Sequence, residues 1–210
     1  MASGDNEFEL VARWGQGDAE AGNELVRRHY ASVFRFFELR LTHAAEDLTQ
    51  RTFLACAEAL ERRTLHTSFR SYLFGIARNQ MLMHLRKASR LDGLRRFDND
   101  GERPSRKTSL TAVFARCEEQ QMLLIALVEL PPDLQIAMQL YYWDGLSTAE
   151  IAEVVAIPPS TVTTRLARAR ELIKGHLANM RLPPTLQASI AGDLAGWTGS
   201  LVHDGTRRPG

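Results

Sequence analysis

The segment Ser147–Leu172 constrains the fold more than any other part of the chain, because a proline pair divides it into two short helices. It begins with Ser-Thr-Ala-Glu, a capping box in which the first and fourth residues bond each other's backbone amides. Ile157–Pro159 then ends the first helix, since proline lacks an amide donor and disfavours helical geometry in the preceding residue. The spacing predicts a helix from Thr148, a sharp turn, and a second helix capped by Ser160.

Both predicted helices have one apolar side. In the first it consists of Ile151, Ala152, Val155 and Ala156, and in the second of Val162, Leu166, Ala169 and Ile173. The outer face of the second helix holds Ser160, Thr164, Ala167, Arg168 and Glu171, flanked by Thr163 and Arg165. Small hydroxyl residues and arginines are typical of a recognition helix that enters the DNA major groove. An amphipathic helical hairpin with a solvated charged face is the alternative.

Composition excludes several other classes of protein. The chain has 210 residues, 44% of them hydrophobic, enough for one large or two small domains. The 26 basic and 25 acidic residues nearly balance, so nucleic-acid binding has to be argued from local clusters. We expect a cytoplasmic protein, because no signal peptide or membrane-spanning run is present. The two cysteines, Cys56 and Cys117, and the six histidines do not have the spacing of metal ligands or catalytic residues. We therefore expect that the protein is not an enzyme and binds no metal or cofactor.

Helical periodicity without alternating strand patterns predicts an all-α fold. The polar run 98–109 has no apolar periodicity and separates two helical blocks. We therefore expect two small helical domains on a flexible linker, with a segment at each end. The predicted ranges are 1–18 for the N-terminal segment, 19–90 for the first domain, 91–111 for the linker, 112–178 for the second domain and 179–210 for the C-terminal extension.

Two more helices are expected ahead of Ser147. Leu130-Pro131-Pro132 breaks the pattern, which predicts helices at 116–129 and 132–143. Asp144-Gly145 supplies the following turn, because this dipeptide favours positive backbone angles. Leu134, Ala137, Met138 and Tyr141 are spaced for burial, so we expect Tyr141 to be a core residue.

The first block contains a helix, Ala45–Leu60, with an unusual outer face. We expect its core stripe to be formed by Leu48, Thr52, Cys56 and Ala59. A second row, at i, i+3, i+4 and i+7, mixes charge, amide and an exposed leucine: Asp47, Gln50, Arg51 and Leu54. This mixture suits a protein partner, with a solvated helix face as the alternative.

The segment Thr67–Lys87 combines the elements of a single-stranded nucleic-acid site. Its aromatic, glycine and amide lie at i, i+3 and i+7, surrounded by cations: Tyr72, Gly75 and Asn79, with Arg70, Arg78, Arg86 and Lys87. An exposed aromatic stacks on a base, glycine leaves room for it, an amide reads its edge and arginine neutralises phosphate. The alternative is that Tyr72 and Phe74 are core aromatics.

In order, these segments resemble bacterial RNA polymerase sigma factors of the extracytoplasmic-function (ECF) group, the smallest members of the sigma-70 family. The resemblance covers about residues 19–178. Segment 45–53 resembles the polymerase-clamp-binding helix, 68–87 the promoter-melting and minus-10 helix, and 129–172 the minus-35 reader. This implies a sigma factor that binds core RNA polymerase, through its beta-prime clamp and beta subunits, and directs transcription from promoter DNA.

The resemblance also implies residue roles. Asp47, Leu48, Gln50 and Phe53 match the clamp-helix motif, and with Arg51 and Leu54 from the exposed row they form the predicted polymerase-binding set. The resemblance implies that Asn79 captures a flipped minus-10 base and that the loop 63–68 reads it. With the aromatic and the nearby arginines, the predicted minus-10-binding set is His66, Thr67, Ser68, Arg70, Tyr72, Arg78 and Asn79. Thr161, Val162, Arg165 and Leu166 match the family's recognition-helix pattern. With the outer face of the helix, this gives a predicted minus-35-binding set of Ser160, Thr161, Thr163, Thr164, Arg165 and Arg168. The sequence departs from the family at five positions: Arg51 replaces an acidic residue, Tyr72 a Trp, His84 an Asp, and Thr163 and Thr164 a Lys and a Ser.

Regulation and two other functions remain open at this stage. The family implies an anti-sigma factor or masking between domains, though the sequence names no such partner. Apolar residues at helical spacing after Pro183-Pro184 predict a C-terminal helix that docks on one domain and causes self-inhibition. The other functions are a conventional helix-turn-helix regulator with a sensor or dimerisation domain, and a polymerase-binding regulator without promoter specificity. No membrane partner is expected.

Overall fold

A computed structural model describes residues 6–60, 67–95 and 118–180. Within these ranges all regular structure is helical, which confirms the all-α fold. The α-helices are α1 (Glu7–Gly15), α2 (Ala19–Leu41), α3 (Ala45–Leu60), α4 (Phe69–Arg95), α5 (Glu118–Val128), α6 (Pro132–Tyr142), α7 (Thr148–Val155) and α8 (Pro159–Asn179), with a 3-10 turn at Thr42–Ala44. Helices α1–α4 form one compact unit, and α5, α6 and α8 form another together with α7 up to Ala152. The predicted C-terminal helix and Cys117 lie outside the described residues.

The first unit is held together by apolar side chains from α2, α3 and α4. Phe36, on α2, makes edge-to-face contacts with Phe37 and with Phe74 of α4, with ring centroids 5.5 and 5.6 Å apart. These rings are fully buried, together with Leu25, Val33, Leu48 and Leu73. Burial raises the pKa of the Cys56 thiol to about 12, so this cysteine is an inert core residue, as expected.

Helix α1 was not predicted from the sequence. It packs on α2 through Leu10, Val11 and the indole of Trp14, which lies directly against the backbone of Gly22. A Cβ at Gly22 would lie 2.5 Å from the indole nitrogen, so only glycine permits this approach. The Trp14 ring also contacts Phe69 of α4 edge to face, at 6.3 Å between centroids. The first 18 residues therefore contribute a helix to the first unit.

A buried histidine links α1 to α2. The His29 Nε2 atom is 2.8 Å from a carboxylate oxygen of Glu7, and the imidazole contacts Phe69 at 5.3 Å. Burial lowers the pKa of His29 below its ordinary value, and the hydrogen bond to Glu7 opposes that shift only in part. Glu38 is buried on the same helix, and burial raises the pKa of its carboxyl.

We predict that His29 makes the first unit less stable in acid. Because its folded pKa is below its unfolded value near 6.5, the unfolded chain binds more protons as the pH falls below that value, so the free energy of unfolding falls. Urea unfolding at pH 5 to 7, followed by Trp14 fluorescence with Trp143 and Trp197 replaced by Phe, measures this effect. The His29→Gln variant should show a flatter profile, by at most about 1.4 kcal/mol per pH unit.

The comparison with His29→Gln is needed because the raised pKa of Glu38 acts in the opposite direction. Glu38 stabilises the fold as the pH falls, and this contribution is present in both chains. Identical pH profiles for the two chains would contradict the role assigned to His29.

The second unit is built around α8, which packs against α5 and α6. The predicted apolar stripe of α8 is fully buried, and so are the predicted core residues of α6 except Tyr141. Gly145 adopts a φ of +63°, which confirms the expected turn after α6. The capping box is also confirmed: the Ser147 amide donates to Glu150 Oε2 at 2.8 Å, and the Glu150 amide donates to Ser147 Oγ at 3.2 Å.

Several local predictions were wrong. Tyr141 is 37% exposed rather than buried, although every residue from Leu134 to Leu140 is buried. Ser160 does not cap α8; the helix begins at Pro159, whose fixed φ suits the first helical position. Helix α4 continues to Arg95, beyond the expected domain end at Arg90.

Ala156 is also not where the apolar pattern placed it. It is exposed and has a φ of +53°, a left-handed conformation. The Ile157 amide donates to the carbonyl of Ala152 at 3.1 Å, so α7 ends in a Schellman motif with Ala156 at the position that usually holds glycine. The sharp turn between α7 and α8 therefore depends on a strained alanine.

We predict that Ala156→Gly stabilises the second unit by about 0.5 to 1 kcal/mol, because glycine has no Cβ penalty in the left-handed region. Amide hydrogen exchange of peptides from α7 and α8, resolved by mass spectrometry, measures the change. As a matched control, Ala167→Gly at an exposed interior position of α8 should destabilise by about 1 kcal/mol. Equal destabilisation by both substitutions would exclude strain at Ala156.

Candidate nucleic-acid and protein interfaces

The outer face of α8 is formed as the sequence predicted. Ser160, Thr163, Thr164 and Arg168 are exposed, and Thr161 is half-buried. The Thr163 and Thr164 hydroxyls donate to the carbonyls of Pro159 and Ser160, at 3.2 and 3.0 Å. With their protons directed at the backbone, these hydroxyls present acceptor lone pairs and methyl groups outwards. Such groups can accept a hydrogen bond from an amino group of adenine or cytosine and contact the methyl of thymine.

The arginines of α8 differ in their surroundings. Arg165 is half-buried and its Nη2 atom lies 3.2 Å from Oδ2 of Asp133, on α6. Arg170 donates from Nε to the Tyr142 hydroxyl at 2.8 Å and also lies over that ring. Arg168 is exposed and has no ion-pair or hydrogen-bond partner among the described residues. The sequence analysis grouped Arg165 with Arg168, but the positive charge of Arg165 is paired with a carboxylate and that of Arg168 is not paired within the described ranges.

The predicted single-strand face lies on α4. Asn79 is exposed, Tyr72 is half-buried, and a Cβ added to Gly75 would meet no atom within 4 Å. Arg70 and Arg78 are half-buried beside them. An amide and part of an aromatic ring thus flank an open gap on one helix face. The alternative of a core aromatic applies to Phe74, which is fully buried, and not to Tyr72.

The start of α4 has a structural role in addition to the expected one. Thr67 and Ser68 are exposed, and His66 lies outside the described residues. The Ser71 amide donates to Ser68 Oγ at 3.1 Å, so Ser68 caps α4. Any contact of Ser68 with a base would compete with this cap.

The mixed row on α3 faces outwards, but two of the residues grouped with it do not. Asp47, Gln50 and Arg51 are exposed, and Leu54 is 62% exposed. Leu48 and Phe53, which the resemblance includes in the clamp-helix motif, are both buried, and for Leu48 this is the predicted core position. Leu48 is 2% exposed and lies in the core, and the Phe53 ring stacks on Tyr30 of α2 at 6.5 Å. These two side chains support the α3 surface from below.

Sequence reasoning missed several features near α3. A cavity of about 800 Å³ lies between α3 and α4, and its lining includes the Asp47–Arg51 pair, Met83, His84, Arg86 and Lys87. Met83 is 63% exposed and Tyr30 is 37% exposed, so both add apolar area to this surface. The sequence signal for Met83 and Tyr30 was an apolar side chain at an outward helical position. Helical spacing alone did not distinguish them from core residues.

Together these features define a class of protein. One unit presents the recognition helix of a helix-turn-helix, and the other presents an amide-and-glycine face beside a mixed apolar and charged surface. This is a DNA-binding protein with an additional protein-binding helical domain.

Comparison with known proteins identifies the family. The family described as "Sigma-70 region 2" matches residues 24–91, and "Sigma-70, region 4" matches residues 120–173. The chain is similar to the ECF RNA polymerase sigma factor SigE of Mycolicibacterium smegmatis, with 31% identity over 74% of this chain and 61% of that protein. It is also similar to the ECF RNA polymerase sigma-E factor of Salmonella typhimurium, with 29% identity over 78% of this chain and 90% of that protein.

Solved structures support the same family. The fold is similar to CnrH, solved in complex with the cytosolic domain of CnrY, with a TM-score of 0.59, 25% identity, and coverage of 83% of this chain and 99% of that one. It is also similar to RpoE of Bartonella quintana, solved with the anti-sigma factor NepR, with a TM-score of 0.62, 23% identity, and coverage of 76% and 98%. At that lower identity the likeness shows the fold alone.

The chain belongs to the sigma-70 family, within its ECF group of RNA polymerase sigma factors. As a sigma factor it binds core RNA polymerase and directs promoter-specific transcription initiation. None of the helices in the described ranges is long and apolar enough to span a membrane.

Proposed function

We propose that this sigma factor reads a bipartite promoter, with the unit that contains α1–α4 as the polymerase- and minus-10-binding domain in place of the predicted 19–90, and 112–178 as the minus-35-binding domain. Because α4 ends at Arg95, the linker is assigned to 96–111 in place of the predicted 91–111. The observation that carries the proposal is that three chemically distinct rows of side chains are exposed on three helices: hydroxyls with Arg168 on α8, Asn79 with Gly75 on α4, and Leu54 with charges on α3. Transcription by core polymerase from promoters with either element altered tests it.

Two experiments separate this proposal from the other functions. Co-purification with core polymerase distinguishes a sigma factor from a conventional helix-turn-helix regulator. Run-off transcription from a matched promoter then distinguishes it from a polymerase-binding regulator without promoter specificity. We place the protein in the cytoplasm, where core polymerase acts, and assign it no catalytic activity of its own.

The minus-35 assignment comprises Ser160, Thr161, Thr163, Thr164, Arg165 and Arg168. The short exposed side chains on α8 support it, because they allow the helix backbone to approach base edges. The buried stripe on the opposite side holds the helix in one orientation, so the same residues always face outwards.

The minus-10 assignment centres on Asn79, Tyr72 and the gap at Gly75. A flipped base needs an open volume, a hydrogen-bonding edge and a surface to stack on. The open space at Gly75 supplies the volume, the exposed Asn79 amide supplies the edge, and the accessible part of Tyr72 supplies the stacking surface. Arg70, Arg78, Thr67, Ser68 and His66 complete the assigned set.

We predict that Asn79→Ala slows open-complex formation about tenfold without weakening binding to the minus-35 duplex, since a lost base-edge contact costs about 1 to 2 kcal/mol. Permanganate footprinting measures melting and fluorescence anisotropy measures duplex binding. Asn23→Ala, an exposed amide on α2, is the control and should change neither. Equal losses in melting and duplex binding for Asn79→Ala would contradict base capture.

Gly75→Ala tests the gap in the same assays. The helix has space for the methyl group, so stability should rise by about 0.5 to 1 kcal/mol, while promoter melting should fall because the methyl occupies the space for the base. Greater stability with unchanged melting would show that no base enters here.

The polymerase-binding assignment is centred on Asp47, Gln50, Arg51 and Leu54, with Leu48 and Phe53 as buried supports. A largely exposed leucine among polar side chains fits an interface anchor with a polar rim. The Arg51 Nε atom lies 2.9 Å from Asp47, and both side chains are mostly exposed, so this pair contributes little to stability and can exchange for contacts with a partner.

We predict that Leu54→Ser weakens binding to core polymerase about five- to tenfold, because the buried centre of an interface loses an apolar side chain worth more than about 1 kcal/mol. Fluorescence anisotropy of labelled protein titrated with core polymerase measures the affinity. Phe8→Ser removes a comparably exposed apolar side chain on α1 and serves as the control. If both variants bind as the unaltered chain does, Leu54 is not a contact.

Regulation is assigned to two sources. An anti-sigma factor that covers the α3 surface would compete with polymerase, and the C-terminal extension 179–210 would act by self-inhibition. The solved complexes of CnrH with CnrY and of RpoE with NepR motivate the first source. Transcription by a chain ending at residue 178 tests the second, since loss of self-inhibition raises activity.

A further inference from the structure

We infer that Asp133, which lies outside the recognition helix, is a specificity-determining residue that acts by restraining Arg165. The inference rests on the proposed role of α8 in duplex binding and adds a residue to it. Asp133 lies in the first turn of α6, and although 129–172 as a whole resembles the minus-35 reader, none of the assigned minus-35-binding residues lies on this helix.

Arg165 is held at its guanidinium by Asp133 and at its backbone by the packing of α8 on α6. Asp133 Oδ2 lies 3.2 Å from Arg165 Nη2, so a carboxylate on α6 forms an ion pair with a guanidinium on α8. The two helices pack against each other, and Leu166, next to Arg165, is buried. The Arg165 side chain is only 25% exposed, against 51% for Asp133, so solvent screens the guanidinium incompletely. The pair therefore joins two packed helices and is not a contact between freely moving surface side chains.

Helix α6 restrains a second arginine in the same way. Tyr142, at the other end of α6, accepts a hydrogen bond from Arg170 Nε at 2.8 Å. Arg168, which lies between the two restrained arginines in sequence, has no such partner in the described part of the chain. Side chains of α6 thus hold Arg165 and Arg170 and leave Arg168 to the ligand.

This restraint has a consequence for DNA recognition. A mobile arginine reaches any nearby phosphate and releases a counterion, which adds affinity for every sequence equally. A restrained arginine donates only from one position, so it contributes only where the duplex places an acceptor there. By holding Arg165, Asp133 lowers sequence-independent affinity and raises the ratio of specific to non-specific binding.

The test measures the affinity of the unaltered chain and of its variants for two duplexes over a range of salt concentrations. One duplex is a promoter selected from a random library by core polymerase with the unaltered chain, and the other is a random-sequence duplex of the same length. Asp133→Asn should steepen the slope of log affinity against log salt for the random duplex by about 0.9, the value for one added phosphate contact. The preference for the selected duplex should fall several-fold.

Three further variants separate restraint from other causes. Glu129→Gln removes one exposed negative charge from the same unit and has no ion pair among the described residues, so it should leave the slope unchanged. Asp133→Glu keeps a carboxylate and should restore most of the preference. Asp133→Asn combined with Arg165→Ala should match Arg165→Ala alone, whereas simple repulsion between Asp133 and phosphate would change affinity equally with or without Arg165.

The outcomes are distinguishable. An equal effect of Asp133→Asn in both backgrounds, or a slope the same as for Glu129→Gln, overturns the inference while the role of α8 stands. If the unaltered chain binds the selected duplex no more tightly than the random one, the proposed role of α8 in duplex binding is contradicted, and the inference about Asp133 is overturned with it. Asp133→Ser provides a second uncharged variant, and it should show the same steeper slope and the same loss of preference as Asp133→Asn. Both variants should remain folded, because an exposed carboxylate in the first turn of a helix contributes little to stability.

Discussion

The second unit depends on the burial of one apolar stripe along α8. Val162, Leu166, Ala169, Ile173 and Leu177 lie against the helices that precede the turn, and each is nearly or completely inaccessible. Because a helix repeats every 3.6 residues, fixing this stripe inwards commits the opposite side to solvent. The hydroxyls and Arg168 are therefore displayed as a consequence of core packing, and no separate interaction is needed to aim them.

The same packing brings polar side chains of α6 next to arginines of α8. Asp133 on α6 reaches Arg165, and Tyr142 reaches Arg170, because α6 and α8 lie side by side. On α3 the comparable pair, Asp47 and Arg51, lies within one helix at i and i+4 and is mostly exposed. The first kind of pair restrains a side chain across two elements, while the second leaves both groups available to a partner.

The first unit shows how far helical periodicity carries a prediction. The bounds of α3 and the burial of its Leu48, Thr52 and Cys56 follow from it, since this helix has an apolar face. Helix α1 was missed because its contribution is made through Trp14 against the Gly22 backbone and His29 against Glu7. Each of these contacts joins residues of two different helices, and no spacing within one segment predicts them. Tyr141 was misplaced for a related reason: its spacing fits the buried stripe, but the neighbouring helices do not cover it.

The sequence alone determined the all-α class, the capping box at Ser147, the turn around Pro158 and Pro159, and the residues on the outer faces of α3, α4 and α8. These depend on local backbone chemistry and on periodicity, which are properties of short segments. Only the tertiary structure decided that Arg165 pairs with Asp133 while Arg168 has no partner within the described ranges, that Phe53 packs on Tyr30 beneath the α3 surface, and that Ala156 carries the strain of the turn. Those properties depend on which side chains from distant segments meet, and folding brings them together only when the helices pack.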